Sequence, residues 1–397
     1  MIDLINFILH NQDDDLPIAV LVSAIDFSKA FNRINHNLII TKLADMGVPG
    51  WLLNIVMGFL ENRTLLVRFN GESSDSKALP GGGPQGTLLG LLLFLILIND
   101  CGFSDNNTVV GKTITSRKKK FTSSTLHTKY VDDLSIMESI NMKETLIPFP
   151  DRPRPDHYHA RLGHKLNPSK SKVYEQIQKI QKYAEDNQMK INHAKCKFML
   201  FNPTSNFDFI PDFMVEGNNI ETVEEMRLLG LVVRNDLKWR SNTDDMIKRA
   251  YKRMWIIRRL KAHGASIDDL IAVYTKQIRC VLEFGVPVWN SSVTKDESLD
   301  IERVQKAFLH IALQDQYSDY NTALKNTSLD SLETRRLKLC ITFAKKTAKH
   351  QKHNHWFEKA TFTNTRSQKS MYKTPFCRLE RYRNSPIPYL TRLLNSQ

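Results

Sequence analysis

Eight consecutive residues, 18–25 (IAVLVSAI), are almost wholly apolar and rich in β-branched side chains, and the run stops at Asp26. Following Pro17, such a stretch reads as a buried strand, so the fold must contain a sheet around it. A carboxylate at the exit of a buried strand is a candidate site residue. Taken alone, an Asp in that position is more often a turn former or helix cap.

Residues 35–46 read as a helix closed by Gly47, and a second helix opens with Pro49 in its first turn and runs to about Leu60. Residues 63–70 (RTLLVRFN) read as a strand. A Gly/Pro loop over 80–86 opens an apolar helix over 87–98, and 127–131 with 134–138 form a hairpin whose turn is Asp132-Asp133. Val173, Ile177, Ile180 and Ala184 recur at helical spacing and predict an amphipathic helix over 171–188. Short strands follow at 197–201 and 227–233. After Trp239 the pattern turns helical, over about 242–262, 266–284 and 296–314. The first of these helices carries Lys248, Arg249, Lys252, Arg253, Arg258, Arg259 and Lys261, with Met254, Ile257 and Leu260 on its apolar side. Residues 103–126 and 141–170 read as polar insertions, the second containing a proline-rich linker.

Composition narrows the classes. The 397 residues suffice for two or three domains, and 41% hydrophobic with 25% charged residues exclude collagen-like, elastic and wholly disordered chains. The five cysteines are odd in number and scattered, which suits an intracellular, reducing compartment, nuclear or cytoplasmic, better than secretion. The opening MIDLINFILHNQDDDLP lacks a positive n-region and does not read as a signal peptide. The longest apolar run, 88–98, has about half of the ~20 residues a bilayer span needs, so it predicts a buried helix and no membrane partner.

The net charge of +14 is unevenly placed: residues 1–100 hold 6 basic and 10 acidic side chains, residues 335–397 hold 15 and 2. That basic stretch is interleaved with Trp356, Phe357, Phe362, Tyr372, Phe376 and Tyr382, a mixture that fits phosphate contact plus base stacking. The plainer reading is a solvated charged face. His350, His353 and His355 lie between Cys340 and Cys377, but their spacing fits no usual zinc set and they read as histidines of a basic tail.

Two aspartate sites stand out, Asp26 and the pair Asp132-Asp133. Adjacent carboxylates repel, so holding them in a structured turn is costly unless a cation neutralises them. Hard oxygen ligands favour Mg²⁺, which keeps waters and shares substrate phosphates. If the two strands are neighbours, three carboxylates converge as two-metal phosphoryl transfer requires. Each element alone is more often a plain turn. Their joint occurrence, in order, with a Gly/Pro loop opening a helix between them, is what carries weight.

AIDFSKAF (24–31), GGGPQGTLLGLLLFLILIND (81–100) and KYVDD (129–133) resemble catalytic boxes A, B and C of reverse transcriptases, in the form found in non-LTR retrotransposons. INHAKCKFMLF (191–201) resembles the lysine-bearing box D. RLLGLVVRNDLKW (227–239), the basic helix and VLEFGVPVW (281–289) resemble the end of a palm and a helical thumb, so the resemblance covers about residues 3–320.

It implies an α+β fold: a palm of antiparallel sheet with packed helices over 1–236, a helical thumb over 237–320 and a basic tail over 321–397. It implies an RNA-directed DNA polymerase that binds an RNA template and a DNA primer and adds dNTPs with two Mg²⁺ ions, Mn²⁺ being the alternative metal. By position, Asp26, Asp132 and Asp133 would hold the metals with the Phe27 carbonyl. Tyr130 would support the primer end. Phe31 would clash with a ribose 2′-hydroxyl, and Gln85 and Gly86 would lie along the nucleotide and template. Lys195 would protonate the leaving pyrophosphate, with Lys197 as nearby competitor.

Asn32 stands where many relatives have Asp, and the two insertions lengthen the connections around the hairpin. The chain begins about 25 residues before Asp26, and residues 1–17 contain no Lys or Arg, so the family's basic fingers and upstream endonuclease are expected to be missing. Nucleic-acid binding with poor synthesis is then the expectation. The alternatives are a catalytically inactive remnant that only binds nucleic acid and a maturase-like RNA-binding protein.

Overall fold

A computed structural model describes residues 1–13, 18–79, 81–84, 86–101, 125–130, 133–141, 146–148, 162–166, 171–202, 207–209, 214–360 and 371–397; for 129, 130, 133, 141, 146–148, 162–166 and 207–209 it describes the backbone alone. The chain divides into two compact units, Pro17–Val223 and Met1–Leu16 with Glu224–Gln397. The first residues therefore join the C-terminal part. Their helix α1 (Ile2–Gln12) buries Ile2, Leu4, Ile5, Phe7, Ile8 and Leu9, and the Asp13 carboxylate accepts the N–H groups of Arg378 (2.9 Å) and Leu379 (2.7 Å).

In the unit 17–223, β1 (Ile18–Ile25) is the central strand. After helices α2 (His36–Asp45), α3 (Gly50–Leu60) and α4 (Leu88–Ile98) come β2 (Thr125–Tyr130) and β3 (Asp133–Asn141), then α5 (Lys172–Asp186), β4 (Lys197–Phe201) and β5 (Glu221–Thr222). The sheet order is β5-β4-β1-β3-β2. β1 runs antiparallel to both neighbours, Ala24 facing Lys197 on one side and Ile25 facing Leu134 on the other. The β4–β5 pair is parallel, so the sheet is mixed rather than purely antiparallel.

The apolar character of β1 follows from this position. Ala19, Leu21 and Ile25 join the core under α2–α5, while Val20 and Val22 on the opposite face are equally buried. Helix α5 follows its predicted periodicity, burying Val173, Ile177, Ile180 and Ala184. The side chain of Asn35 caps α2 by accepting the Leu38 N–H. Helix α4 departs from expectation: Leu93, Phe94, Leu97 and Ile98 are buried, but Leu88, Leu91, Leu92 and Leu95 are exposed. Residues 63–70 form two short strands, Thr64–Leu65 and Arg68–Phe69, and the region read as a linker includes the strand Leu162–Leu166.

The other unit begins with a hairpin of β6 (Glu225–Leu228) and β7 (Leu231–Arg234), which turns at Gly230 where a single strand was expected. Helix α6 (Arg240–Ala262) follows, then α7 (Ile267–Val273), a π-helical turn (Tyr274–Arg279), α8 (Lys295–Leu313), α9 (Tyr320–Asn326), α10 (Leu332–Lys349) and α11 (Pro386–Asn395). Residues expected to trail as a basic tail thus include packed helices, α10 lying against α11. Among the described residues, no helix is long and apolar enough to cross a membrane.

One buried carboxylate ties the β2–β3 hairpin to helix α5. Glu138 on β3 accepts the Ser171 hydroxyl and the Val173 N–H on one oxygen and the Lys172 N–H on the other, at 2.9–3.0 Å. It thereby satisfies the first turn of α5 from inside the sheet. Glu138→Leu should cost about 3 kcal/mol of stability, because it leaves those donors buried and unpaired. Glu138→Gln, which keeps an acceptor, should cost less than half of that; urea denaturation of both variants checks the order.

Candidate functional site

The site is built where β1 ends. Asn192 N–H donates to Asp26 O (2.8 Å) and Ser28 N–H donates to Lys190 O (2.7 Å), which makes Phe27 and Ile191 an isolated antiparallel bridge. In such a pair the bonds belong to the flanking residues. The N–H and C=O of Phe27 itself are therefore directed to the other edge of the strand, the edge along which β3 runs. There Ile25 faces Leu134 in the last pair of the β1–β3 register, and Asp133, the residue before Leu134, pairs with Tyr130 across the hairpin.

The Asp26 carboxylate is 19% exposed, and its Oδ2 stands 3.4 Å from Lys195 Nζ. That oxygen is buried and accepts no hydrogen bond among the described residues. A buried carboxylate oxygen with a cation near it but no donor in contact suits a metal ligand. Behind it, Cys196 Sγ lies 4.0 Å from Asp26 O, and burial pushes the thiol pKa up to about 11, so it stays protonated at neutral pH. Lys197 pairs instead with Glu221. His193 Nε2 is 2.8 Å from Glu216 and helps to anchor the same loop.

Beyond Asp26 the chain makes a 3₁₀ turn, Ala30–Arg33. The half-buried Phe31 ring stacks on Phe94 of α4, centroids 4.3 Å apart at 26°. The glycine loop seats directly on this turn: Gly83 N–H donates to Phe31 O (2.7 Å), Gly82 N–H donates to Ile34 O (2.9 Å), and His36 Nε2 is 2.9 Å from Gly82 O, to which it donates. No side chain fits between them. A Cβ on Gly82 would lie 3.2 Å from Asn32 O, and one on Gly90, at the start of α4, only 2.2 Å from Pro84 O. Gly86 has open space around it but a φ of +84°, so its requirement is conformational. Thr87 then caps α4, accepting the Gly90 N–H and donating to Pro84 O.

Asp26, Phe27, Phe31, Gly86 and Lys195 are thus described in full, and Lys195 stands beside Asp26 at one end of the sheet. Gln85 and Asp132 lie outside the described residues, as do the side chains of Tyr130 and Asp133. Among the described residues no three metal-ligating side chains come together. Sequence reasoning missed His36, Cys196 and Glu138. Their contacts are made 46, 170 and 33 residues away, beyond the reach of any local pattern.

A central strand ending in a carboxylate, an adjoining hairpin and a glycine loop seated on the turn after the strand define an α+β unit with its polar residues gathered at one end of a mixed sheet. Residues 4–233, more than half of the chain, match the reverse transcriptase (RNA-dependent DNA polymerase) family, and the chain belongs to that family. It is similar to the RNA-directed DNA polymerase from mobile element jockey of Drosophila melanogaster, 22% identical over 270 residues, covering 67% of this chain and 25% of that protein. It is also similar to the probable RNA-directed DNA polymerase from transposon BS of the same organism, 20% identical over 269 residues, covering 67% and 26%. The chain spans about a quarter of the length of these curated relatives. Among solved structures, telomerase from Candida tropicalis aligns with 89% of this chain and 55% of its own, at 15% identity and a TM-score of 0.38.

The loop geometry separates two kinds of glycine. Gly90→Ala should lower stability by several kcal/mol despite the better helix propensity of alanine, because backbone must move. Gly86→Ala should cost only about 1–2 kcal/mol, the strain of a left-handed residue. Thermal denaturation of the two variants should show that order.

Proposed function

We propose that the chain carries the RNA-templated addition of deoxynucleotides to a primer 3′-hydroxyl. The observation that supports this most directly is the β1–β3 register, whose last pair, Ile25 with Leu134, directly precedes Asp26 on one strand and follows Asp133 on the other, while the glycine loop seats on the turn after Asp26. Asp26, Asp132 and Asp133 would hold two Mg²⁺ ions, or Mn²⁺ in their place, and the outward-directed Phe27 carbonyl supplies a further oxygen. The chemistry such ions would supply is activation of the primer hydroxyl and neutralisation of the leaving pyrophosphate.

The remaining roles belong to the chain itself. Lys195 stands close enough to Asp26 to deliver a proton to the pyrophosphate, whereas Lys197 is engaged by Glu221. Phe31, whose ring is backed by Phe94, would clash with a ribose 2′-hydroxyl and so select dNTPs. Gln85 and Gly86 line the path of nucleotide and template, and Tyr130 steadies the hairpin beside the primer end. The RNA template and DNA primer are held chiefly through phosphates by the basic C-terminal unit.

Asp26→Asn removes one ligand charge and should weaken Mn²⁺ binding, followed by electron paramagnetic resonance, at least tenfold, and cut any Mg²⁺-dependent primer extension about a thousandfold. Mn²⁺ affinity equal to that of the parent chain would sink the assignment. Phe31→Ala should raise ribonucleotide incorporation relative to deoxynucleotide, and an unchanged ratio would make Phe31 an ordinary core residue.

A further inference from the structure

Lys42 of α2 meets α4 at the end away from the glycine loop. Its ammonium donates to both oxygens of Asp100 (2.6 and 2.8 Å), to the Leu97 carbonyl (3.1 Å) and to the Tyr183 hydroxyl of α5 (3.3 Å). It also stands 5.1 Å from the centre of the Tyr183 ring, and the Tyr183 hydroxyl donates to the same Leu97 carbonyl. The lysine side chain is only 13% exposed, whereas that of Asp100 is 61% exposed. An ammonium has three donors, and this one finds acceptors for all of them inside a knot that joins α2, α4 and α5.

The last turn of a helix carries carbonyls that its own backbone leaves unpaired, together with partial negative charge, so a cation there holds the helix end in place. Leu97 lies one turn beyond Phe94 on α4. The opposite end of the helix is seated by the Thr87 cap and by the close approach of Gly90 to Pro84. Helix α2 therefore holds this segment twice, through His36 at Gly82 and through Lys42 at Leu97 and Asp100. About 9 Å of helix separates the two holds. Between them in sequence lies Phe94, fully buried, with the Phe31 ring stacked on it. Leu88, Leu91, Leu92 and Leu95 on the outer face are exposed, so among the described residues α4 is held from one side only. Release of its last turn would let Phe94 draw back and give the Phe31 ring room to follow.

We propose that Lys42, together with Tyr183, is a positioning residue for sugar selection: it fixes the depth of α4 and, through Phe94, the place of the Phe31 ring. The inference rests on the proposed role of Phe31 and adds to it a residue that acts without touching the nucleotide. Loss of the clamp relaxes discrimination against the ribose 2′-hydroxyl and leaves the rest of nucleotide binding as it was.

Equilibrium dialysis of the full chain against radiolabelled dCTP and CTP, in Mn²⁺ and without primer, reads nucleotide binding with no turnover. The parent chain should bind dCTP about tenfold more tightly than CTP. Lys42→Met keeps the length of the side chain and loses its donors; it should bring the two affinities to within about twofold of each other, through tighter CTP binding at nearly constant dCTP binding. Lys42→Arg, which can still donate to Asp100 and to the Leu97 carbonyl, should retain most of the preference. Asp100→Asn, at an exposed position that does not endanger folding, should lower the preference about threefold and keeps the proposal open to refutation even if Lys42→Met fails to fold. In a double-mutant cycle, Phe31→Ala should abolish the preference alone, and adding Lys42→Met should change the ratio less than about twofold. An unchanged ratio in Lys42→Met and Asp100→Asn, or an equal loss of both nucleotides, would overturn the inference and leave the role of Phe31 standing. A parent chain that binds both nucleotides alike, or neither, would overturn the role of Phe31 and this inference with it.

Discussion

The structure depends on β1 being paired along both edges and buried on both faces. A strand in that position cannot slip by one residue without exchanging its two sets of side chains, and every neighbour would lose its contacts with it. Its end point is consequently fixed within the sheet, and the first polar residue, Asp26, emerges at one place only. The bridge from Phe27 to Ile191 extends that control past the last strand residue, so the turn in the backbone comes with its carbonyl directions already determined.

The second constraint is backbone laid on backbone. The 81–84 loop and the 3₁₀ turn after Asp26 exchange N–H···O=C bonds with no side chain between them, and the glycines are there because any Cβ would hold the two apart. Phe31 and Phe94 then close the gap from the other side, tying turn, loop and α4 into one piece. Site precision comes in this way from segments that are neither helix nor strand, each stiffened by a neighbour of the same kind.

What was legible in the sequence was local. The helical spacing in α5, the Asn35 cap, the glycine loop opening α4 and the apolar run of β1 each encode an element within a few residues of one another. So was the ordered set of boxes that points to the family. The structure added what distant parts decide. Nothing near Glu138 marks it as the acceptor for a helix start 33 residues on, and nothing in residues 1–13 says that their partners lie beyond residue 285. The turn at Gly230 was missed because 228–233, LLGLVV, reads as one apolar run. The exposed stripe of α4 was missed because a helix made almost entirely of leucine and isoleucine has no polar side to show which face is turned inward.

The assignment of α1 to the C-terminal unit has a consequence for synthesis of the chain. Translation delivers α1 before the sheet unit and the residues that pack on it after, so the helix must wait while the whole of the sheet unit is made. During that interval its apolar residues have no native place to go, whereas the sheet unit, contiguous in sequence, is free to assemble behind it. The unit that holds α1 is therefore completed only after the sheet unit, which lies between its two segments in sequence, has been made.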